Sequence, residues 1–510
     1  MKISPSWREL AASASLAIGG AVLWSLCFTD RPSMWLPWVA LAPLFLLLGR
    51  RHVVIWGALY AILLWLTSMS WIAGTLGSFG GLSSTLALVT QWLLALYLGF
   101  DQVVFVLLGS VIWRRSRAGS WLHTLWAIPA LWVAIEWLRG VAFGRFPWNL
   151  AAYAWVDVPG ALPLAAWIGS FGVSFWVALV NVGIAESCRR RRWEPAVVSV
   201  LAAMTLLVLA GRFSHGSDRA HARRSAATDV RIIQPNNPIV HTWEASWEGY
   251  LRLIEMSEAE CSAPRLPSDR LLLVWPESAA WPHSHDTSPR LREDVARLAE
   301  QGCDVLLGSQ INEGDKAFNS ALLVTNEGPV AQYSKRKLVP WGEYVPLAEV
   351  LPFLGQVARN AGSFTPGTEL GLMPVGDERL GLAICYEVIF PALLAEQVAA
   401  GASVLVNTTN DAWYGDTWAP HQHFRAARFR AAENRRPLIR AALTGISGLI
   451  DRRGSVDAVL GVNERGVLSA RVTGSDELTP YTRLPWLVPT ACALLAALAL
   501  AICWRDRRVG

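Results

Sequence analysis

Long uncharged apolar runs fill residues 10–211 and return at 485–504, and they constrain the fold more than any other feature of this chain. About 20 consecutive apolar residues make a helix long enough to cross the hydrocarbon core of a bilayer. The segment between these runs, 212–480, has ordinary proportions of charged residues, proline and glycine. The sequence therefore predicts a membrane domain, a water-exposed domain and a closing membrane helix.

Eight segments are candidate membrane spans. The first resembles a signal peptide, but further apolar segments follow at once, so we expect it to be retained. We predict a polytopic α-helical membrane domain with eight spans, seven of them within 1–211 and the last within 485–510, which ends in a cytoplasmic tail. The eight segments are residues 10–28, 34–49, 54–75, 84–113, 122–138, 162–186, 194–211 and 485–504.

Basic clusters at the ends of these runs predict the orientation of the chain. With eight spans and both termini in the cytoplasm, five clusters fall on one face, and the opposite short loops hold only Arg31, Arg139 and Arg145. Because cytoplasmic loops are enriched in Lys and Arg, this asymmetry places residues 212–484 outside the cytoplasm. The net charge of +5 is thus a topology signal, and we expect no nucleic-acid partner. The clusters are Lys2 with Arg8; Arg50 and Arg51; Arg114, Arg115 and Arg117; Arg189 to Arg192; and Arg505, Arg507 and Arg508.

From about residue 229 the apolar pattern alternates short strands with helices, which is typical of an α/β layered sandwich. We predict a catalytic domain over 212–484 with its core at 229–475. The predicted strands are 230–234, 271–275, 304–308, 321–324, 330–333, 380–385, 404–406 and 437–450, and the predicted helices are 244–259, 289–301 and 420–436.

Three reactive side chains lie at the ends of predicted strands: Glu277, Lys335 and Cys385. A carboxylate, an ammonium and a thiol brought together could act as base, charge stabiliser and nucleophile. Each also has a plainer interpretation: a surface carboxylate, a solvated turn charge and a buried small hydrophobe. For any one of the three alone, the plainer interpretation is favoured.

Two further pairs of residues are candidates for structural roles, one as a disulfide and one as an ion pair. Cys261 and Cys303 could form a disulfide if their domain faces an oxidising compartment, and the sequence leaves this open. Glu136 and Arg139, near the end of the fifth apolar segment, are expected to pair at i,i+3 and to order the following loop.

The motifs of the water-exposed domain resemble those of the nitrilase (carbon–nitrogen hydrolase) superfamily over about 229–475. Three short motifs occur in the family's order, each at the end of a predicted strand, and two longer motifs make the resemblance more specific. The short motifs are Trp275-Pro-Glu277, Tyr333-Ser-Lys335 and Ile384-Cys385-Tyr386-Glu387; the longer motifs are Lys335-Arg-Lys-Leu-Val-Pro-Trp-Gly-Glu343-Tyr-Val-Pro346 and Thr409-Asn410-Asp411-Ala-Trp413-Tyr-Gly415. With its eight spans, the whole chain is similar to a membrane-embedded acyltransferase branch of this superfamily.

This resemblance implies an αββα sandwich and an acyl transfer in the bacterial inner membrane, with the catalytic domain in the periplasm. The expected donor is a phospholipid, and the expected acceptor is the α-amino group of a diacylglyceryl-modified apolipoprotein. Cys385 would carry the acyl chain as a thioester, with Glu277 as the base and Lys335 stabilising thiolate and oxyanion. The resemblance implies no metal, no organic cofactor and a monomer in the lipid bilayer.

The resemblance also implies roles for residues around the triad. Glu343 would be a second carboxylate that assists Lys335 or the base. The remaining residues are Tyr386 and Glu387, which would orient the nucleophile, and Trp243 and Trp413, which would line the substrate entrance or simply pack.

The chain departs from the family pattern at two positions and contains one long loop. Trp341 stands where Phe is usual, and Leu443 stands where a polar residue is expected and so offers no side-chain hydrogen bond. Residues 339–376 are rich in Pro and Gly, and long loops in compact domains are usually functional. We predict a mobile lid whose apolar tip, 350–354, touches lipid.

Two other functions remain open from the sequence. A membrane-tethered amidase or nitrilase would hydrolyse a small C–N substrate, but a tether needs one helix rather than eight. A transporter or scaffold could carry an inactive domain, although an intact set of Glu277, Lys335 and Cys385 argues against it.

Overall fold

The structure, a computed structural model, describes residues 7–78, 81–115, 121–142, 146–217, 227–239, 242–263, 270–345 and 363–509. The predicted lid tip, 350–354, lies outside these residues. The chain forms two compact units: one contains the apolar N-terminal helices together with the C-terminal helix, and the other contains residues 216–483.

The helical unit begins with eight helices and ends with the C-terminal helix Leu487–Val509, which packs against the sixth. Short 3-10 helices lie at Leu36–Trp38 and Ala151–Trp155. The eight helices are α1 (Trp7–Leu26), α2 (Ala42–Leu47), α3 (Val53–Ser68), α4 (Trp71–Ser78), α5 (Ser84–Arg115), α6 (Trp121–Val141), α7 (Ala161–Arg190) and α8 (Glu194–Ser217). In α7 the helical geometry is interrupted at Gly169, whose φ of 67° favours glycine.

Within the described residues, five helices are long and apolar enough to cross a membrane. They are α1, α5, α7, the segment Glu194–Phe213 of α8, and Leu487–Arg505. Helices α3 and α4 meet the same criteria only as a pair, bent by 53°, which would make a sixth span. The helical membrane domain is thus supported, whereas the predicted count of eight is not confirmed.

The predicted span at 34–49 is not one continuous helix. It consists of the 3-10 helix Leu36–Trp38 and the six-residue helix α2, which is only about 9 Å long. The side chain of Asn181 in α7 explains the break, because its Oδ1 accepts the backbone N–H of Leu41 at 2.9 Å and of Ala42 at 3.0 Å. Its Nδ2 donates to the carbonyl of Pro37 at 2.9 Å. A buried amide therefore takes the place of helical hydrogen bonds.

Glu136 and Arg139 both order the loop after α6, but not through the expected pair. Arg139 Nη1 lies 2.9 Å from Asp101 Oδ2 in α5, and its Nη2 donates to the carbonyl of Trp148 at 3.1 Å. Glu136 Oε1 accepts the backbone N–H of Ala151 at 2.8 Å. The local i,i+3 prediction missed Asp101 because that partner comes from another helix.

The second unit is built on two six-stranded sheets with the orders β12-β1-β2-β3-β4-β5 and β11-β10-β9-β8-β7-β6. Strands β1, β2 and β3 run parallel in one sheet and β7, β8 and β9 in the other, and the remaining pairs are antiparallel. The strands are β1 (Thr228–Gln234), β2 (Leu271–Val274), β3 (Cys303–Glu313), β4 (Lys316–Thr325), β5 (Gly328–Ser334), β6 (Met373–Val375), β7 (Glu378–Ile384), β8 (Val404–Thr409), β9 (Leu438–Ala442), β10 (Ser447–Ile450), β11 (Val456–Leu460) and β12 (Gly466–Val472).

Helices cover the outer face of each sheet, which gives the predicted αββα sandwich. Helices α9 (Trp243–Cys261) and α10 (Pro289–Glu300) pack on the first sheet, and α11 (Pro391–Ala399) and α12 (Ala419–Asn434) on the second. Strand β1 contacts β9 and β10 across the interface between the sheets. A short helix, α13 (Pro480–Arg483), ends the unit.

One predicted strand, 437–450, is in fact the antiparallel pair β9 and β10. The turn between them contains Gly445, where a Cβ atom would lie 2.4 Å from Asp411 Oδ2. A side chain is therefore excluded at the point where the chain reverses over a buried carboxylate. Strands β6, β11 and β12 were not predicted.

A disulfide joins Cys261, the last residue of α9, to Cys303, the first residue of β3. It ties a helix of the outer layer to the sheet on which that helix packs. The sequence left open whether Cys261 and Cys303 form a disulfide, and the structure contains this bond.

We expect Cys261→Ser to lower the free energy of unfolding of this unit by about 4 kcal/mol, because the lost cross-link spans 42 residues. Proteolysis in a urea gradient measures the midpoint, and Cys188→Ser, at an exposed free cysteine of the other unit, is the control. Equal midpoints for Cys261→Ser and the oxidised wild type would contradict a stabilising cross-link.

Candidate active site

The three residues of the predicted triad follow the ends of strands from both sheets. Glu277 comes three residues after β2, Lys335 follows β5 directly, and Cys385 follows β7 directly. Because strand ends leave the layered core, they present side chains at the rim of a sheet, where a substrate can reach them. The site is therefore built where strand ends of the two sheets meet, and the bond from the N–H of Asn410, after β8, to Glu277 joins them.

A buried cluster of charges surrounds Lys335, which is 1% exposed. Its Nζ lies 3.3 Å from Glu277 Oε1 and 2.9 Å from Glu343 Oε1. Burial alone would lower the pKa of Lys335, but the negative charges of Glu277 and Glu343 and the hydrogen bond that Lys335 donates to Glu343 raise it well above 10.5. Lys335 therefore stays an ammonium at neutral pH and cannot serve there as a proton acceptor.

Asn319, in β4, bridges the two carboxylates and was missed by the sequence analysis. The side-chain Nδ2 of Asn319 donates to Glu277 Oε1 at 2.8 Å and to Glu343 Oε1 at 2.7 Å. The backbone carbonyl of Asn319 accepts the backbone N–H of Lys335 at 2.8 Å. Asn319 lies just before the predicted apolar strand 321–324 and beside another polar residue, Ser320, so no signal in the sequence set it apart. Asn319 thus holds both acids and the lysine in one arrangement.

Glu277 keeps one position open for a proton. Its Oε1 accepts bonds from Lys335 and Asn319, and its Oε2 accepts the backbone N–H of Asn410 at 3.0 Å. A carboxylate has about four acceptor positions, so a fourth partner can be accommodated. Glu343 accepts the same number of bonds, from Lys335, Asn319 and the backbone N–H of Val339, the last at 2.8 Å, so hydrogen bonding alone does not distinguish the two carboxylates.

Cys385 adopts the left-handed backbone region, with a φ of 51°, and begins a 3-10 helix that runs to Ile389. This conformation costs an L-residue about 1–2 kcal/mol and persists where the surroundings enforce it. Its side chain is buried. The sharp turn directs the chain away from β7 immediately at the nucleophile.

The Cys385 thiol is neutral in the resting site. Burial and the negative charge of Glu277 raise its pKa, and the positive charge of Lys335 only partly offsets them. The carboxylates of Glu277 and Glu343 with the ammonium of Lys335 already leave one uncompensated negative charge, so a thiolate at Cys385 would add a second uncompensated charge. Deprotonation must therefore be coupled to proton uptake by a neighbouring base.

Glu387 fastens the loop after β5 to the end of β7. Its Oε1 accepts the backbone N–H groups of Arg336 at 2.7 Å and Lys337 at 2.9 Å, while Oε2 accepts that of Ile384 at 2.8 Å. The hydroxyl of Tyr333 donates to the same carboxylate at 2.9 Å. The side chain therefore fixes Lys335 relative to Cys385, which explains its expected supporting role in geometric terms.

The three aromatic site candidates lie in different environments. Tyr386 is buried and packs edge-on against Phe390, with ring centroids 5.2 Å apart. Trp243 is 59% exposed at the start of α9 and stacks on Trp247. Trp413 is 43% exposed in a 3-10 turn that begins directly after Asn410, whose N–H binds Glu277.

A second group of buried polar side chains, also missed from the sequence, contacts the backbone of Cys385. The side chains of Asn407, Asp411, His423 and Arg440 are hydrogen-bonded to one another or to the backbone of Cys385. Among the residues that the structure describes, no group of three or more His, Cys, Asp or Glu side chains could hold a metal ion.

Comparison with known proteins agrees with this architecture. Residues 20–183 match the apolipoprotein N-acyltransferase N-terminal domain, and residues 229–477 match carbon–nitrogen hydrolase. An apolipoprotein N-acyltransferase of Geobacter metallireducens is 34% identical over 509 residues, which cover 97% of this chain and 96% of that protein. The chain belongs to the apolipoprotein N-acyltransferase family. A member from Methylococcus capsulatus is 31% identical over 511 residues, again covering 97% and 96%.

We expect Glu277→Gln to lower the pKa of the Cys385 thiol, because it removes a negative charge that raises this pKa and leaves Lys335 in place. The pH dependence of Cys385 alkylation, followed by mass spectrometry of its peptide, measures the shift. Glu313→Gln, at an exposed position on β3, is the matched control. An alkylation midpoint that stays unchanged or rises in Glu277→Gln would contradict the proposed charge coupling.

Proposed function

We propose that this chain transfers an acyl chain from a phospholipid to the α-amino group of the N-terminal diacylglyceryl-cysteine of bacterial lipoproteins, through a thioester on Cys385. Membership of the apolipoprotein N-acyltransferase family supports the overall reaction. The observation that carries the mechanism is the buried contact of Lys335 with Glu277 and Glu343, placed beside a neutral thiol.

In the first half-reaction, Glu277 takes the thiol proton as the sulfur attacks the ester carbonyl of the phospholipid. The oxyanion of the tetrahedral intermediate is stabilised by the Lys335 ammonium, which cannot lose its own proton at neutral pH. The intermediate collapses when Glu277 returns the proton to the leaving alkoxide. A lysophospholipid departs, and the acyl chain remains on Cys385 as a thioester.

In the second half-reaction, the neutral α-amino group of the acceptor attacks the thioester carbonyl. Glu277 removes a proton from the attacking nitrogen, and Lys335 again stabilises the oxyanion. The C–S bond then breaks, the sulfur recovers its proton from Glu277, and an amide is formed. The thiol is thereby regenerated with no net change in the enzyme.

The helical unit favours a transferase over the alternative hydrolase. A hydrolase tethered to a membrane would need one spanning helix, whereas at least five described helices are long and apolar enough to span. A lipid-embedded enzyme can hold acyl chains and restrict water, which would favour aminolysis of the thioester over hydrolysis.

We further propose eight spans, in which the broken segment Leu36–Leu47 and the bent pair α3–α4 each count as one, a multi-pass location in the bacterial inner membrane, and a monomer with both termini in the cytoplasm. Residues 1–211 would form the membrane domain, 212–484 the periplasmic catalytic domain, and 485–510 the last span and tail. The basic clusters support this orientation. The Cys261–Cys303 disulfide supports it too, because structural disulfides persist mainly in oxidising compartments.

Incubating the wild type with labelled phospholipid should place one acyl group on Cys385, sensitive to hydroxylamine and discharged by a diacylglyceryl-cysteine peptide with a free amine. We expect Cys385→Ala to lower transfer by at least about 1000-fold, because the nucleophile is lost. Mass spectrometry of the Cys385 peptide is the measurement, and Cys188→Ala is the control. Transfer at the wild-type rate by Cys385→Ala would exclude the thioester route.

For the orientation, we expect a membrane-impermeant maleimide to label Asp315→Cys in intact spheroplasts, because the turn between β3 and β4 would face the periplasm. The native Cys188, exposed beside Arg189, should react only after lysis because it would face the cytoplasm. Labelling of Cys188 before lysis would reverse the proposed topology.

A further inference from the structure

The backbone carbonyl of Cys385 is held by side chains from two other elements. His423 Nε2, on α12, lies 3.0 Å from this oxygen, and Asn407 Nδ2, on β8, lies 3.5 Å from it. The same amide group of Asn407 donates to the carbonyl of Ala383 at 2.8 Å. Cys385, with a φ of 51°, opens the 3-10 helix that runs to Ile389, so its carbonyl is oriented by this turn together with these side-chain contacts rather than by a strand ladder.

These contacts determine which nitrogen of His423 carries a proton. A carbonyl oxygen only accepts, so Nε2 must donate to it. Nδ1 lies 3.1 Å from Arg440 Nη2, which only donates, and 3.1 Å from Asp411 Oδ1, which only accepts when ionised. His423 is therefore either neutral, accepting from Arg440 at Nδ1, or doubly protonated, donating to Asp411.

The neutral form is the one that the surroundings favour. Burial and the positive charge of Arg440 lower the pKa of His423, which outweighs the opposing charge of Asp411. Asp411 is already matched, because it accepts from Arg440 Nη2 at 2.8 Å and from the hydroxyl of Thr409 at 2.8 Å. Burial opposes the ionisation of Asp411, but the positive charge of Arg440 and the hydrogen bond from Thr409 hold its pKa below the usual range.

We propose that His423 is a positioning residue for the nucleophile: its Nε2–H orients the carbonyl of Cys385, and Arg440, paired with Asp411, keeps it in that tautomer. The proposal rests on Cys385 being the nucleophile, as proposed above. Arg440 is itself fixed by bonds from Nη1 to Asn407 Oδ1 and from Nε to the carbonyl of Ile446. A chain of hydrogen bonds thus connects Arg440 on β9 to His423 and His423 to the backbone carbonyl of Cys385.

Replacing Arg440 by Met changes the protonation of His423 in a defined way. Of the described contacts of His423, those that remain include Asp411 and Tyr414 from the 3-10 turn after β8 and the Cys385 carbonyl; the Tyr414 ring lies edge-on, with centroids 6.1 Å apart. With the arginine gone, the Asp411 carboxylate raises the pKa of His423, and below that pKa both nitrogens donate and Cys385 stays oriented. Above it, the single proton can move to Nδ1 to bond Asp411, and the bond to Cys385 is lost.

The test is the rate of acyl-enzyme formation on Cys385 as a function of pH, from about 5 to about 9. In Arg440→Met we expect the rate of acyl-enzyme formation to fall by about 10-fold or more as pH rises through the pKa of His423. The pH profiles of Arg440→Lys and of the wild type should lack this decrease. His423→Gln, which retains an N–H donor, should lose less than about 10-fold, and His423→Leu about 100-fold, mainly in kcat rather than in KM for the donor.

Parallel pH profiles for Arg440→Met and the wild type, or equal losses in His423→Gln and His423→Leu, would overturn the proposal. The wild type must form the acyl-enzyme in the same assay, so failure of the thioester mechanism is distinguished from failure of this inference. Nitrogen NMR of histidine-labelled wild-type protein avoids dependence on folded variants. It should show a neutral, Nε2-protonated His423 at neutral pH, and an imidazolium or an Nδ1-protonated ring would contradict the inference.

Discussion

The ammonium of Lys335, buried between the carboxylates of Glu277 and Glu343, is the interaction on which the rest of this site depends. Removing one partner of a buried ion pair leaves an uncompensated charge, which costs about 3–5 kcal/mol. Here one cation faces two anions, so burial and the surplus negative charge together raise the pKa of Cys385 and keep its thiol protonated. The charge that develops on a substrate oxygen then meets the positive group that the protein has already ordered.

Three sets of hydrogen bonds hold the nucleophile and the charge cluster in register. Glu387 links the loop that carries Lys335 to the end of β7, and the backbone N–H of Asn410 links the end of β8 to Glu277. His423 fixes the carbonyl of Cys385 itself. Because all of these contacts except the local bond between Glu387 and Ile384 join elements distant in sequence, the geometry of the site is a property of the assembled sandwich rather than of any single motif.

The sequence was sufficient to predict an α/β layered sandwich and the positions of Glu277, Lys335 and Cys385 at strand ends, because short apolar runs and the residues that follow them are local patterns. The αββα order of the layers was an expectation from the family resemblance. It could not identify Asn319, whose two acidic partners are 42 and 24 residues away, or the Arg440–Asp411 pair, separated by 29 residues. Such contacts depend on which strands become neighbours.

The same limit explains the differences in the helical unit. The apolar content of 34–49 suggested a continuous helix, but Asn181, 140 residues away from Leu41, bonds the backbone at the break. Similarly, Arg139 pairs with Asp101, 38 residues earlier, rather than with Glu136 on its own helix. Hydropathy locates apolar segments, whereas buried polar side chains from other helices decide where those segments bend or end.

The most direct test of the central claim is infrared spectroscopy of the S–H stretch of Cys385, taken as the difference between the resting wild type and Cys385→Ala at neutral pH. A neutral thiol beside a negatively biased charge cluster predicts an S–H band that shifts in heavy water and disappears when the acyl-enzyme forms. The absence of this band from the resting enzyme would mean that Cys385 is already a thiolate paired with Lys335. That result would contradict proton transfer to Glu277 as the activating step.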